Sequence, residues 1–152
     1  MSCQLYFDYG IMTRSRMRDK IGEDVEVVGG ARLKGFRLTF GGQTALFDGC
    51  ARAMLRKGER AKKPVYGMLY AVSKDHRLLL DIAMEETFGL SARQTVCVVD
   101  GCGREWFAFC YGPTHTTRGR PSCEYRRLHE VLKREARETY ERMKLKARGP
   151  GV

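Results

Sequence analysis

The sequence has little of what small metal-binding, secreted or membrane domains require. Cys3, Cys50, Cys97, Cys102, Cys110 and Cys123 form no CxxC pair, and the three histidines are not placed to complete a ligand set. That pattern argues against a zinc knuckle and a redox dithiol and leaves reduced, mostly buried thiols as the expectation. His115 and Cys123 lack further partners at ligating spacing, so neither a metal nor a cofactor is expected. No apolar run approaches the ~18 residues that span a bilayer. The N-terminus lacks the basic-then-apolar order of a secretory signal. A soluble, cytoplasmic protein with no membrane partner is the expectation. Only four prolines are present, with no repeat and no low-complexity tract, which points to a single domain over residues 1–148 followed by a flexible tail, 149–152.

Acidic charge is also in deficit. Eighteen Asp and Glu face 28 Lys and Arg, for a formal net charge of +10, and much of the excess falls in the last third of the chain. Such a surface attracts anions without specificity. Glu124, Glu130, Glu135, Glu138 and Glu141 interleave with the bases, however. Glu130 with Arg134 and Glu138 with Arg142 have the i,i+4 spacing of a solvated helix face. No recognition motif accompanies the charge, so nucleic acid remains a secondary partner class.

What is present reads as strands first. A chain of 152 residues can bury about two-thirds of its unfolded surface, enough for one core. Tyr6-Phe7-Asp8-Tyr9-Gly10 is a first strand running into a glycine turn. Leu5 and Phe7 face one way and Tyr6 and Asp8 the other, and Gly10 permits angles that a side chain opposes. Taken alone, the same residues are an aromatic strand with an ordinary turn. Thr13 to Lys20 predicts a short helix ended by Gly22. Val25 to Val28 and Ala31 to Phe40 alternate as strands about an expected Gly29-Gly30 turn, and Gly49 to Arg56 is a further strand. Pro64 introduces the clearest core strand, Val65 to Val72.

Ser73 is placed to cap a helix holding Leu78, Leu79, Ile82 and Ala83, with Gly89 as its stop. Arg93 to Val99 and Glu105 to Tyr111 form a hairpin about Asp100-Gly101. Beyond a polar loop from Gly112 to Pro121, Ser122 caps a long last helix whose apolar stripe is Tyr125, Leu128, Val131, Leu132 and Ala136. The order predicts an α+β domain: a small mixed or antiparallel β-barrel flanked by α-helices. Periodicity does not separate a closed barrel from an open, strongly twisted sheet.

Read together, these segments resemble the γ-glutamylcyclotransferase-like (AIG2-like) family, whose members open with a Tyr-Phe-x-Tyr-Gly strand and loop. Ala31-Arg32-Leu33-Lys34-Gly35-Phe36-Arg37-Leu38-Thr39-Phe40-Gly41 is similar to the family's second landmark, and Val65-Tyr66-Gly67-Met68-Leu69-Tyr70 to its central strand. Leu80-Asp81, Gly89 and the Val96/Val98 strand resemble the segment that carries its acid. Pro121-Ser122-Cys123-Glu124-Tyr125 matches its Pro-Ser-x-x-Tyr start of the last helix. The resemblance implies a small barrel with a pocket at the end of the first strand. That pocket would take a small γ-glutamyl-type ligand, contacted by Tyr6, Phe7, Asp8, Tyr9, Gly10, Ile11, Met12 and Tyr125.

The family's reaction is an intramolecular aminolysis. The free α-amine of a γ-glutamyl compound attacks its own γ-amide carbonyl, expels an amine and leaves 5-oxoproline. The substrate's ammonium, of pKa ~8, must first lose a proton, which one carboxylate can take and return to the leaving amine. Backbone amides of the first loop would hold the substrate's carboxylate and carbonyl.

Two positions depart from the family pattern. The loop reads Tyr9-Gly10-Ile11-Met12 where the family carries Tyr-Gly-Ser-Asn, and counting from Asp81 puts Met84 where the family has its glutamate. A thioether accepts no proton, and the loss of acid–base catalysis is worth roughly 10²- to 10⁴-fold. Glu85 and Glu86 are the adjacent candidates for that role; read without the resemblance, they are two solvated acids near a helix end. Asp8 is a third carboxylate, provided the strand turns it inward. A cyclotransferase with a displaced acid, a non-catalytic ligand- or protein-binding member of the fold, and a nucleic-acid- or anion-binding protein all follow from these residues.

Overall fold

The strand with the strongest core signature becomes the middle of the sheet. A computed structural model describes residues 3–41, 52–57, 63–88, 92–112 and 123–148. In it β5 (Val65–Val72) lies between β1 (Gln4–Asp8) and β2 (Glu26–Leu33), antiparallel to both. β2 pairs in turn with β6 (Ala92–Asp100), and β6 with β7 (Glu105–Gly112). A parallel pairing of Tyr6 with Phe109 joins β7 back to β1 and closes the barrel. The α+β barrel expected from the sequence is present, and the closure that periodicity left open is settled by that last pairing. β3 (Phe36–Gly41) and β4 (Arg52–Lys57) form a separate two-stranded sheet.

Among the described residues three helices flank the barrel. α1 (Arg14–Ile21) starts where Thr13 accepts the Arg16 amide and ends at Gly22. α2 (Lys74–Phe88) starts where Ser73 accepts the His76 amide at 3.1 Å. Such caps satisfy donors that the first turn leaves open. α3 (Cys123–Arg148) is the longest. Among the described residues no helix is long and apolar enough to cross a membrane.

Several sequence expectations change. Gly29-Gly30 is not a turn. β2 runs through it with a bulge between Val27 and Gly29, and the next positive-φ glycine is Gly35, in the connection to β3. On α2 the buried residues are Leu80, Ala83 and Met84, whereas Leu78, Leu79 and Ile82 are exposed. An i, i+3, i+4 set defines the inward face there; of the apolar residues named from the sequence, Ala83 belongs to it and Leu78, Leu79 and Ile82 do not. On α3, Tyr125 and Ala136 are buried as expected, but Val131 is exposed and His129 and Tyr140 complete the inward face. Of the five described cysteines, all free thiols, only Cys110 is buried. Cys97, for example, points outward between the buried Val96 and Val98, as strand alternation requires. Cys50, Gly89, the 113–121 stretch of the polar loop, Ser122 and the 149–152 tail lie outside the described residues.

β2 carries its glycines because α3 crosses it at backbone distance. A Cβ on Gly30 would sit 2.6 Å from both the Ala136 carbonyl oxygen and the Tyr140 nitrogen. The Gly30 amide donates to the Met143 sulfur at 3.2 Å. A Cβ on Gly101, in the β6–β7 turn, would likewise meet the Tyr140 carbonyl. The helix is therefore seated against bare backbone, and its side chains fill the ground to either side. Gly30→Ala should lower the unfolding free energy in urea by about 2 kcal/mol, because main chain rather than a flexible side-chain tip must give way. A loss below about 0.5 kcal/mol would mean that α3 is not held at this distance.

Candidate ligand site beneath the first loop

β1 delivers Asp8 to the start of a loop whose amides converge on it. One Asp8 oxygen accepts the Gly10 and Ile11 amides at 2.7 and 2.8 Å, and the other accepts the Met12 amide at 3.2 Å and the Tyr6 hydroxyl at 2.9 Å. Asp8 is 5 % exposed, so the inward turn that the sequence required of it has occurred. Gly10 makes the curl possible with φ +102, and a Cβ there would lie 2.7 Å from the His129 ring. Both the backbone angle and the space demand glycine.

The loop is braced from two sides. The Tyr9 hydroxyl donates to the Tyr111 carbonyl of β7 at 2.6 Å. His129 hydrogen-bonds the Tyr9 backbone and stacks with Tyr125 at a centroid distance of 6.4 Å. Burial lowers the His129 pKa below its usual value, against the pull of that hydrogen bond, because a low-dielectric site disfavours the charged ring. Sequence reasoning missed His129. Its signal was the position one helical turn after Tyr125, on the face that docks.

Against the loop lies a cavity of about 410 Å³. Asp8, Gly10 and Met12 form one wall; Met68, Tyr70 and Val27 line it from the barrel. α1 contributes Arg14, and α3 contributes Leu132, Glu135, Glu138, Thr139 and Arg142. Register places the barrel residues together, since Asp8 pairs with Met68 and Tyr70 pairs with both Tyr6 and Val27. Paired positions share a face, and this face is the one α3 covers. Of the other predicted contacts, Phe7, Tyr9, Ile11 and Tyr125 are buried; none of them, nor Tyr6, lines the cavity.

Comparison with solved structures identifies the architecture. A γ-glutamyl cyclotransferase superimposes with a TM-score of 0.76 over 97% of this chain and 88% of its own, at 21% identity. An uncharacterized human protein gives 0.74 over 98% and 88%, at 22% identity. An AIG2-like protein from Mus musculus gives 0.55 over 82% and 83%, at 16% identity. The chain has the γ-glutamyl cyclotransferase fold. By sequence it matches no family model and no curated protein, so the likeness is one of architecture.

On that fold, Met84 is fully buried in the core, while Glu85 and Glu86 are exposed on α2 and line no part of the cavity described above. The helix stays regular through both glutamates, with no bulge to swing either inward. Asp81, three residues before Met84, accepts the Tyr111 hydroxyl at 2.6 Å and pairs with Arg93 at 3.4 Å, which ties α2 to β7 and β6. Asp8 is thus the one carboxylate among the sequence candidates that reaches the cavity.

Burial is the largest influence on Asp8 and raises its carboxyl above the ordinary 3.8, while the bonds from Ile11, Gly10, Tyr6 and Met12 oppose it. Above that value the folded protein retains a proton that the unfolded chain has released. Stability from this group therefore declines as pH rises through the folded pKa. Asp8→Asn should lack this slope, so the gap in unfolding free energy between wild type and variant should narrow from pH 4 upward. A gap that widens over this range would reverse the assignment. Asp8→Ala, which leaves three amides without an acceptor, should be the less stable of the two substitutions by about 2 kcal/mol.

Proposed function

We propose that this protein holds a γ-glutamyl amine or γ-glutamyl peptide in the Asp8 cavity, and that the site binds without cyclising its ligand. The fold supports the ligand class. One observation supports the absence of turnover: the Gly10, Ile11 and Met12 amides are already spent on the Asp8 carboxylate. Donors aimed at an internal carboxylate do not stabilise an oxyanion on a substrate, which needs them directed at the place where charge develops. Met84 at the position of the acid adds to this, because sulfur does not take the α-ammonium proton. Glu135 and Glu138 stand beside Arg14 and Arg142 around the cavity, a mixed lining that suits a zwitterion better than a polyanion.

A second reading has the raised Asp8 pKa in its favour, since a base closer in pKa to the amine is a better proton acceptor. Asp8 would give up one of its four donors and take the proton from the α-ammonium. The freed nitrogen would then bond to the γ-carbonyl carbon. The bond to the leaving amine would break as that amine took the proton from Asp8, and the ring nitrogen would then release its second proton to the Asp8 carboxylate to become the lactam N–H.

The two readings part in one experiment. Incubated with a γ-glutamyl amine, the protein should bind it by calorimetry and release no 5-oxoproline above the blank. Release that Asp8→Asn abolishes would establish the second reading. Release abolished by Glu85→Gln or Glu86→Gln would move the proton acceptor to α2.

A further inference from the structure

Tyr70 is 4 % exposed, and its hydroxyl has no hydrogen-bond partner among the described residues. A buried phenol normally finds one. The ring is held in place, stacked with Tyr6 at 6.3 Å, while the residue lines the cavity and its oxygen is not sealed from it. The result is an enclosed donor, fixed by packing, that opens on a space large enough for a small ligand.

The charges around that hydroxyl come from three elements. Burial raises the Tyr70 pKa most; Asp8 raises it further, Arg14 lowers it, and Glu135 raises it again. Asp8, Arg14 and Glu135 are thus all within electrostatic reach of one oxygen, and all line the same cavity. A cation and two anions about an unpaired donor match the α-carbon end of an amino acid, which carries a carboxylate and an ammonium on one atom. The loop amides offer no such match, because Asp8 occupies them.

We infer that Tyr70, with Arg14 and Glu135, forms the subsite that reads the ligand's free α-amino-acid head: the Tyr70 hydroxyl donates to the α-carboxylate beside Arg14, and Glu135 receives the α-ammonium. This rests on the ligand reading above and adds to it the residues that select for an intact zwitterionic head. Anchoring is shared by β5, α1 and α3. The γ-amide is left to extend along the apolar lining of Met12, Val27, Met68 and Leu132. Tyr70 is a specificity-determining residue under this inference and takes no part in bond making.

The test uses the full chain and three probes: γ-L-glutamyl methylamide, its analogue without the α-amine, and its analogue without the α-carboxylate. Calorimetric affinities are measured for wild type, Tyr70→Phe and Glu135→Gln, with thermal melts to establish that each variant is folded. Tyr70→Phe should weaken the two carboxylate-bearing probes about tenfold and leave the third unchanged. Glu135→Gln should weaken the two amine-bearing probes and spare the one without it. If wild type binds γ-L-glutamyl methylamide but Tyr70→Phe weakens all three probes equally, or none, the inference falls and the ligand reading stands. If wild type binds none of the three, the ligand reading itself falls, and the inference with it.

Discussion

A single buried carboxylate organises the end of the barrel. Asp8 collects three consecutive amides and a phenol, and the loop can close on it only because Gly10 supplies both a left-handed angle and room for the His129 ring. A carboxylate in a low-dielectric site is costly unless its lone pairs are occupied, and this one has four donors. Those hydrogen bonds shape the loop, but they also withdraw its amides from any other anion. Structure and chemistry are therefore set against each other at one residue: what makes the loop rigid is what removes an oxyanion site from it.

The cavity persists because a different constraint keeps α3 where it is. Bare backbone at Gly30 and Gly101 lets the helix approach the barrel to main-chain contact, and the Met143 sulfur takes the Gly30 amide at that crossing. Around this seam, Arg32 lies over the Tyr140 ring, Arg137 over Tyr66, and the two rings meet edge to face. On another face the same helix turns Leu132, Glu135, Glu138, Thr139 and Arg142 to the cavity beside Asp8. The helix thus makes main-chain contact over β2 and lines the cavity next to the first loop.

Local signals were legible wherever the physics is local. Thr13 and Ser73 cap helices because a hydroxyl there meets an amide three residues on. The Asp100-Gly101 reversal follows from turn chemistry, and Asp100 adds acceptors for the Cys102 and Arg104 amides and the Trp106 ring. Where sequence reading went astray, a distant element intervened. Gly29-Gly30 carries every local mark of a turn, but α3 needs the space, and the glycines sit inside a strand. The exposed Leu78, Leu79 and Ile82 and the buried His129 follow from which face of each helix the barrel receives. Composition does not encode that choice.

The order of strands and helices and the alternation that sends Asp8 to the face opposite Phe7 were determined by the sequence alone, because each depends on neighbours a few residues away. Closure of the barrel, the capture of the loop amides by Asp8, and the meeting of Tyr70 with Arg14 and Glu135 were decided only by tertiary structure. Those groups come from β1, β5, α1 and α3, and the distances that give them chemical meaning arise only when the register of β1 on β5 and the seat of α3 on β2 are both in place.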